Sequence, residues 1–488
     1  MLVYTLLFTF LLLLLTYRSR LFHLPGLSHW MMPTAMIIKL VAGLLLFLLH
    51  IQTYGIDELS HDGETFFKEG RYLNDVFFVS PIDFFKLLTG IGENDTLIHK
   101  YLYMTEYWSA GDLSIVNDSK NVIRVHSLIH FFSFNSVFIH LAIFCLISLA
   151  ALKNLYLSLK PYTTIPDKIL FWILLLVPST IFWTSSMMKE PLMFLGLSML
   201  LRSLLVQEDK WIRLFFFLGA LALMLCFKPY VLFGAMIAIL MALSFKYLFS
   251  GKLMLTLIVL CSVTTLFVIV FQKPRDAAVH YLTRKQFDFE NVGKGGLHTE
   301  ADTCFYYFKP AVYEKLKFEN GTIQVKEPVD SYIIHFGSTK SPIPIKLYPN
   351  GKKLRITYFT PGCRSFIETT PIDESFVQLI KNIPEALTNS YLRPYFFDPG
   401  SRLKYLSMIE IWMLTGFLFY AFFKRRELNT NEKAIIVGML VFALILLLLI
   451  GWTTPVIGAI ARYRFPAQLA LVVVGLICIK PKMTFSNE

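Results

Sequence analysis

Three basic residues in the sequence lie one or two positions before a proline that begins an apolar run. They are Lys189, Lys228 and Arg464, followed by Pro191, Pro229 and Pro466. Proline suits the first turn of a helix, where unpaired N–H groups form the positive end of the helix dipole. A cation added to such a helix start makes a site for a phosphate or pyrophosphate group. We predict that Arg462 and Arg393, the latter directly before Pro394, join this site. The alternative is that each cation extends to water or to lipid headgroups.

A group of carboxylates directly follows the apolar run 33–53. It comprises Asp57, Glu58, Asp62 and Glu64. A carboxyl group close to a low-dielectric layer has a raised pKa, which makes it a competent base near neutral pH. The alternative is a solvated loop that happens to be acidic. At the other end of the same loop, Arg124 is a candidate ion-pair partner for these carboxylates or a further phosphate contact.

The composition indicates that a bilayer surrounds most of the elements that must position these residues. Hydrophobic residues make up 55% of the 488 residues, charged residues only 16%, and the mean hydropathy is +0.56. A soluble protein would carry about a quarter charged residues. A span needs roughly 20 apolar residues. We therefore predict a polytopic α-helical membrane protein with about eleven transmembrane helices, at 2–17, 33–53, 134–156, 169–188, 191–207, 213–227, 230–246, 253–272, 405–423, 433–452 and 466–480.

The distribution of Lys and Arg predicts the orientation of the chain in the membrane. The net charge of +12 does not indicate nucleic-acid binding, because most basic residues lie in short loops beside apolar runs. These loops fall on alternate sides of the predicted spans, and the positive-inside rule makes the basic set cytoplasmic. The cytoplasmic set consists of the loops near residues 18–20, 153–168, 202–213, 246–252, 424–433 and 480–482. The amino terminus and the predicted phosphate site are then expected outside.

Two longer segments are expected on the outer side. The predicted organisation is two helices (1–53), an outer loop with amphipathic helices (54–126), helices 3–8 (127–272), an outer α+β domain (273–404), and helices 9–11 with a tail (405–488). Asn-Gly pairs at 320–321 and 350–351 lie between alternating apolar segments, and this pattern predicts β-hairpins. In an oxidising compartment, Cys304 and Cys363 of this insert could form a disulfide. The alternative is two unrelated thiols.

The first outer loop resembles the start of the GT-C glycosyltransferases, a superfamily that includes protein mannosyltransferases and oligosaccharyltransferases. The resemblance is carried by the segment His61–Gly70 (HDGETFFKEG), and by Trp183–Glu190, Lys228–Tyr230, Leu392–Pro394 and Gly458–Arg464, which are similar to segments of bacterial proteins grouped with these enzymes. It implies a catalytic or acceptor-positioning carboxylate at Asp62, with Glu64 second and Asp57 or Glu58 in reserve. Supporting roles would fall on Glu190, Tyr230 and Tyr463. It also implies the inner (cytoplasmic) membrane, with the active face periplasmic.

A membrane glycosyltransferase is therefore the expected function, with a polyprenyl-phosphate-linked sugar as donor and a glycan, a lipid or an exported protein as acceptor. A divalent metal near Asp62 is an open alternative, as in some oligosaccharyltransferases. No P-loop, GxGxxG, HExxH or GxSxG motif is present, so ATP hydrolysis and dinucleotide chemistry lack support. Two other functions remain open: a flippase for a lipid-linked glycan, and a non-catalytic membrane partner in envelope glycan assembly. A transporter should tolerate Asp62→Asn, whereas an enzyme should not.

Overall fold

The structure, a computed structural model, describes residues 1–54, 62–105, 107–108, 117–248, 252, 255, 270–301, 304–319, 321–335, 342–360 and 362–480. The chain divides into two compact units. The first unit contains Met1–Leu240, Leu418–Glu432 and Leu471–Glu488, and the second contains Met241–Phe417 and Lys433–Ala470. Asp57 and Glu58 lie outside the described residues, as does nearly all of the predicted span 253–272.

The regular elements in the described part of the first unit are helices. Its helices are α1 (Leu2–Arg18), α2 (Met31–Tyr54), α3 (Asp62–Val79), α4 (Pro81–Thr89), α5 (Asp95–Tyr101), α6 (Asp118–Ser133), α7 (Val137–Leu159), α8 (Asp167–Leu176), α9 (Pro178–Trp183), α10 (Lys189–Leu205), α11 (Lys210–Phe227) and most of α12 (Pro229–Leu243). Helices α3 and α6 pack closely, since a Cβ added at Gly70 would lie 2.5 Å from the Cβ of His126. Their apolar faces bury Phe66, Leu73 and Val122 in one core cluster.

The prediction of eleven spans is corrected by the structure. Six helices in the described part are long and apolar enough to cross a membrane, and a pair bent by 49° would make a seventh. The run 169–188 does not form one continuous helix. Pro178 cannot donate a helical backbone hydrogen bond, so the helix breaks before it and α8 ends at Leu176. The runs 2–17 and 191–207 form helices of only 17 residues each. The chain is thus a helical, membrane-embedded protein whose described residues contain fewer complete spans than their apolar runs predict.

The second unit contains a seven-stranded antiparallel sheet. The strands are β1 (Gly296–Ala301), β2 (Cys304–Phe308), β3 (Leu316–Glu319), β4 (Thr322–Val325), β5 (Val329–His335), β6 (Ile343–Leu347) and β7 (Lys353–Thr360), in the order β3-β4-β7-β1-β2-β5-β6. The helices before and after the sheet are α13 (Gln272–Lys294), α14 (Phe376–Lys381), α15 (Ile383–Leu387), α16 (Lys404–Phe423), α17 (Thr430–Thr453), α18 (Ile457–Tyr463) and α19 (Phe465–Cys478). The parts of α16, α17 and α19 that fall within Leu418–Glu432 and Leu471–Glu488 belong to the first unit. A single buried cluster around Leu297, Phe308 and Leu354 forms the core of the sheet.

Only one of the two predicted hairpins forms. Strands β3 and β4 pair with Glu319 opposite Thr322, and Gly321 between them has a φ of +71°. Gly351 also has a φ of +71° and makes a turn, but β6 and β7 on either side of it are not neighbours in the sheet. The turn chemistry is local, whereas strand pairing depends on the whole domain.

The predicted disulfide is absent. Cys304 and Cys363 are both free thiols. Cys304 is buried in β2 opposite His335, while Cys363 donates its backbone N–H to Gly293 at the end of α13. The sheet fixes the first position and the α13 contact fixes the second, and the two thiols are not joined in this structure.

Candidate functional site

A partly buried ion pair joins the start of α10 to the start of α6. Lys189 is the first residue of α10 and is only 9% exposed. Its Nζ lies 2.9 Å from Oδ1 of Asp118 and donates to Oγ of Ser119 at 2.8 Å. Asp118 is the first residue of α6, where the positive end of the helix dipole favours a carboxylate. Asn117 caps the same turn by accepting from two backbone N–H groups.

A second cation belongs to the same cluster. Lys228 follows the last residue of α11, is buried, and places its ammonium 5.7 Å from the centre of the Tyr230 ring. Burial would raise the pKa of Asp118, but the charges of Lys189 and Lys228 and a hydrogen bond from Lys189 hold that pKa below its usual value. The pKa of Lys189 is lowered by burial and by the charge of Lys228, against the opposing charge of Asp118. The two lysines therefore form one cationic site.

Asp62 is the second carboxylate close to Lys189. It is the first residue of α3, half-buried, and its charge acts on Lys189 in the direction that keeps the ammonium protonated. Tyr107 donates its hydroxyl to Oδ1 of Asp62 at 3.3 Å. On the next turn of α3, the Phe66 ring lies 5.6 Å from Nζ of Lys189. A carboxylate able to accept a proton thus acts electrostatically on Lys189, which together with Lys228 is able to hold an anion.

The other residues predicted for the first unit have different surroundings. Glu64 forms an ion pair with Lys68 on its own helix at 2.7 Å. Arg124 lies 2.9 Å from the buried carboxylate of Glu93 and donates its Nε to the Leu87 carbonyl. Glu190, in the first turn of α10, is 1% exposed. Arg124 therefore anchors the segment between α4 and α5.

Two of the predicted arginines of the second unit, Arg464 and Arg393, lie at the same turn of the chain. Arg464 is fully buried, and its guanidinium donates to the carbonyls of Ser390 and Arg393 and to Oγ of Ser407. Arg393 forms an ion pair with Asp398 at 2.7 Å. Arg464 therefore fixes the position of the backbone that carries Arg393, in addition to any role in binding an anion.

The last two predicted residues of this unit lie side by side. Arg462 places its guanidinium 5.8 Å from the Tyr463 ring, which packs edge-on against Phe289. This half-exposed arginine is more accessible to a ligand than Arg464.

Lys39 is a buried cation that the pattern of the sequence did not single out. It lies within the candidate span Met31–Leu49 and is 1% exposed. Its Nζ donates to Oγ of Ser148 at 2.7 Å and to Oγ1 of Thr184 at 2.9 Å. Among the described residues, no carboxylate lies within ion-pair distance of it. The available signal was a lone lysine in an apolar run, because an ionisable residue inside a span is costly and is retained for a function.

The polar contacts of Lys39 hold the segment that leads into Lys189. Thr184 follows α9, and the chain from there to Met188 is not helical. His126 of α6 makes a 3.2 Å hydrogen bond with the carbonyl of Met187. A Cβ added at Gly43 of α2 would lie 2.3 Å from the Ser185 carbonyl. Helices α2, α6 and α7 thus jointly fix the entry to α10.

Thr184→Val is expected to destabilise the protein more than Lys39→Met does. The first change leaves a buried ammonium with a single hydroxyl partner, at a cost of about 1–3 kcal/mol. The second removes the charge and leaves Ser148 donating to Thr184, as it does at 2.9 Å in the wild type. The check is thermal unfolding of the three proteins and the double variant in detergent. A double variant as unstable as Thr184→Val alone would contradict this account.

Metal binding has no preformed centre in the described part of the chain. No group of three or more His, Cys, Asp or Glu side chains there is arranged to hold a metal ion. His126, His130 and His140 do cluster, but both ring nitrogens of His126 and His140 and Nε2 of His130 bond to protein atoms, including a 2.8 Å bond between Nδ1 of His126 and Nδ1 of His140. Burial lowers the pKa of His126 to about 3, so this ring stays neutral.

Comparison with known proteins gives no family for this arrangement. No protein-family model, curated protein or solved structure matches the chain significantly, so its function must be inferred from the residues of the site themselves.

Proposed function

We propose that the protein is a membrane glycosyltransferase that transfers a sugar or oligosaccharide from a polyprenyl-phosphate donor to an acceptor hydroxyl. The observation that supports this most is that Asp62 begins the helix whose Phe66 ring lies 5.6 Å from Nζ of Lys189, which is paired with Asp118 at 2.9 Å. The charges of Asp62 and Lys228 both act on Lys189. A proton acceptor next to paired cations fits a reaction whose nucleophile loses a proton and whose leaving group is a phosphate.

In the proposed reaction, the acceptor oxygen attacks the anomeric carbon and its proton passes to Asp62. The bond between the anomeric carbon and the phosphate oxygen breaks, and its electron pair stays on the polyprenyl phosphate. Negative charge therefore grows on the phosphate, where Lys189 and Lys228 would stabilise it. Buried, fixed cations are effective in this role because little solvent reorganisation accompanies the reaction. Tyr107 would orient the carboxylate through its 3.3 Å hydrogen bond.

Asp118 has a separate role in this proposal. Burial and the charge of Lys228 both work against a protonated Lys189. Asp118 offsets this through its 2.9 Å ion pair and keeps the lysine charged before the donor arrives. A bound phosphate would then add a second anionic partner. Asp118 is therefore a positioning residue, and Asp62 is the catalytic carboxylate.

The remaining parts of the chain would serve binding and localisation. That Arg462 and Arg393 also contact a donor phosphate stays a prediction. The insert 273–404 would recognise the acceptor, and the active face would be periplasmic, at the inner membrane of a bacterium. We also propose a GT-C fold for the chain, which would require more membrane spans than the described residues contain.

Transport of a lipid-linked glycan is a second candidate, and one observation favours it. Lys39 places a cation inside a candidate span, where a path for an anionic headgroup would need one. Its two hydroxyl partners are buried with it, which fits a closed network better than the wall of a channel. We therefore rank the transferase first.

The proposal is tested by the surface-glycan profile of a deletion strain that carries the wild-type gene or an empty vector. The transferase predicts a truncated or unattached glycan in the deletion strain, with lipid-linked donor accumulating on the periplasmic face, and full restoration by the wild type. Protease and glycosidase access to intact spheroplasts distinguishes the two faces. Donor that accumulates on the cytoplasmic face would instead identify the flippase, and an unchanged profile would refute both functions.

A further inference from the structure

The loop between Arg393 and Lys404 carries an exposed aromatic tip. Phe397 is 92% exposed and Phe396 is 60% exposed. Exposed apolar surface of this kind, in a loop that leads into a candidate span, normally marks a binding site. Arg402, on the same loop, is also exposed. The loop thus combines an aromatic tip with a cation.

The tip is held in a fixed position by polar bonds at its base. Asp398 accepts from the Arg393 guanidinium at 2.7 Å and from the backbone N–H of Tyr395 at 2.6 Å. Lys404 donates to the carbonyl of Asp398. These bonds close the loop around Asp398 and leave Phe396 and Phe397 pointing away from its polar core. The exposure of the two rings is therefore built into the loop.

The tip continues directly into the apolar face of a candidate membrane span. Helix α16 begins at Lys404 and is long and apolar enough to cross a membrane. The Phe396 ring packs 5.4 Å from the Tyr405 ring in its first turn. Further along α16, the exposed side chains include Leu406, Trp412 and Met413 at 66%, 73% and 68%. A face of this composition meets lipid, and the aromatic tip lies at its end.

We propose that the loop 394–403 is a bilayer anchor that inserts Phe396 and Phe397 among the lipids at the membrane interface, with Arg402 at the headgroups. Aromatic rings are enriched at this depth, and basic side chains reach the headgroups from it. The occupant is bilayer phospholipid, because the tip is continuous with a lipid-facing helix. The anchor would also fix the depth of Arg393, at the other end of the loop. This proposal does not depend on the transferase activity.

The test replaces Phe397 with the photo-crosslinking residue benzoylphenylalanine in the full-length protein, reconstituted in phospholipid nanodiscs. Illumination is expected to give a protein–phospholipid adduct, identified by its mass. Because Phe397 contacts little else, the substitution should leave folding intact. The control places the same residue at Tyr348, which is 61% exposed just after the edge strand β6, and should give several-fold less lipid adduct.

A second measurement uses tryptophan fluorescence in nanodiscs that contain brominated lipids. Phe397→Trp should add a fluorescence component that the bromine atoms quench, over the background of the native tryptophans, whereas Tyr348→Trp should add an unquenched one. A lipid adduct at position 397 no greater than at 348, or an unquenched Phe397→Trp, would overturn the anchor. Crosslinking of position 397 to the protein itself would overturn it as well.

Discussion

Asp62→Asn is expected to lower the rate of glycan transfer by about 100- to 10,000-fold, the usual contribution of a positioned acid or base. The amide keeps the shape of the side chain and its contact with the Tyr107 hydroxyl but cannot accept the proton of the acceptor. Donor binding should change little, because the phosphate would be held by Lys189 and Lys228, which this substitution leaves in place. The measurement is transfer in isolated membranes, with the lipid-linked glycan pool of the deletion strain as donor.

Two variants on the same helix control this experiment. Asp75→Asn removes a carboxylate of α3 that is 62% exposed and only 4.0 Å from Arg71, and it should leave transfer unchanged. Glu64→Gln tests the second candidate base, which is already paired with Lys68 and should matter much less than Asp62. Binding of undecaprenyl phosphate to the purified protein, followed by intrinsic fluorescence, separates lost chemistry from lost binding. Full transfer by Asp62→Asn would show that this carboxylate is not the base.

Lys189→Met is expected to lower kcat/KM for transfer by about 100- to 1,000-fold, comparable to the loss of one preorganised charge at a developing anion. Lys228→Met should act in the same direction. Lys189 makes direct contact with Asp118, so its removal also leaves that carboxylate without its nearest cation. A loss of activity in Lys189→Met could therefore come from the missing charge at the phosphate or from the unpaired carboxylate of Asp118. A second variant is needed to separate these two causes.

The double variant Lys189→Met/Asp118→Asn separates these causes. It removes both charges of the ion pair, so the neighbouring backbone should recover its stability. If Lys189 stabilises the departing phosphate, the double variant stays as inactive as Lys189→Met although its melting temperature recovers. Recovery of transfer together with stability would show that Lys189 is structural and that the phosphate site lies elsewhere. Lys68→Met, which removes an exposed lysine of α3, serves as the control.

The membrane character could be predicted from the sequence, and local patterns also indicated the cations of the candidate site. Hydropathy is a sum over neighbouring residues, so long apolar runs indicate membrane helices without knowledge of their partners. Lys189 and Lys228 were singled out because each is followed by a proline at a helix start, which is also a local pattern. The hairpin that ends in Gly321 was predictable for the same reason, since its turn requires a positive φ.

The number of complete spans and the partners of the charged residues depended on the tertiary structure. The break before Pro178 shortens one predicted span, and α1 and α10 are each too short to be candidate membrane spans. Composition counts these runs as apolar but does not say how far each helix continues. The second Asn-Gly turn connects strands that are not adjacent, because strand order is decided by the packing of the whole sheet.

The pairings inside the candidate site connect residues far apart in the sequence. Ser119 and Lys189 are separated by 70 positions, and Lys39 and Thr184 by 145. Neither pairing has a local sequence signal, since a buried charge is stabilised by whichever polar group the fold brings within hydrogen-bonding distance. The sequence by itself therefore determined which residues could bind an anion or accept a proton. Only the tertiary structure brought Asp62, Asp118, Lys189 and Lys228 within electrostatic range of one another. The physical reason is that a buried charge is stable only next to an oppositely charged or polar group.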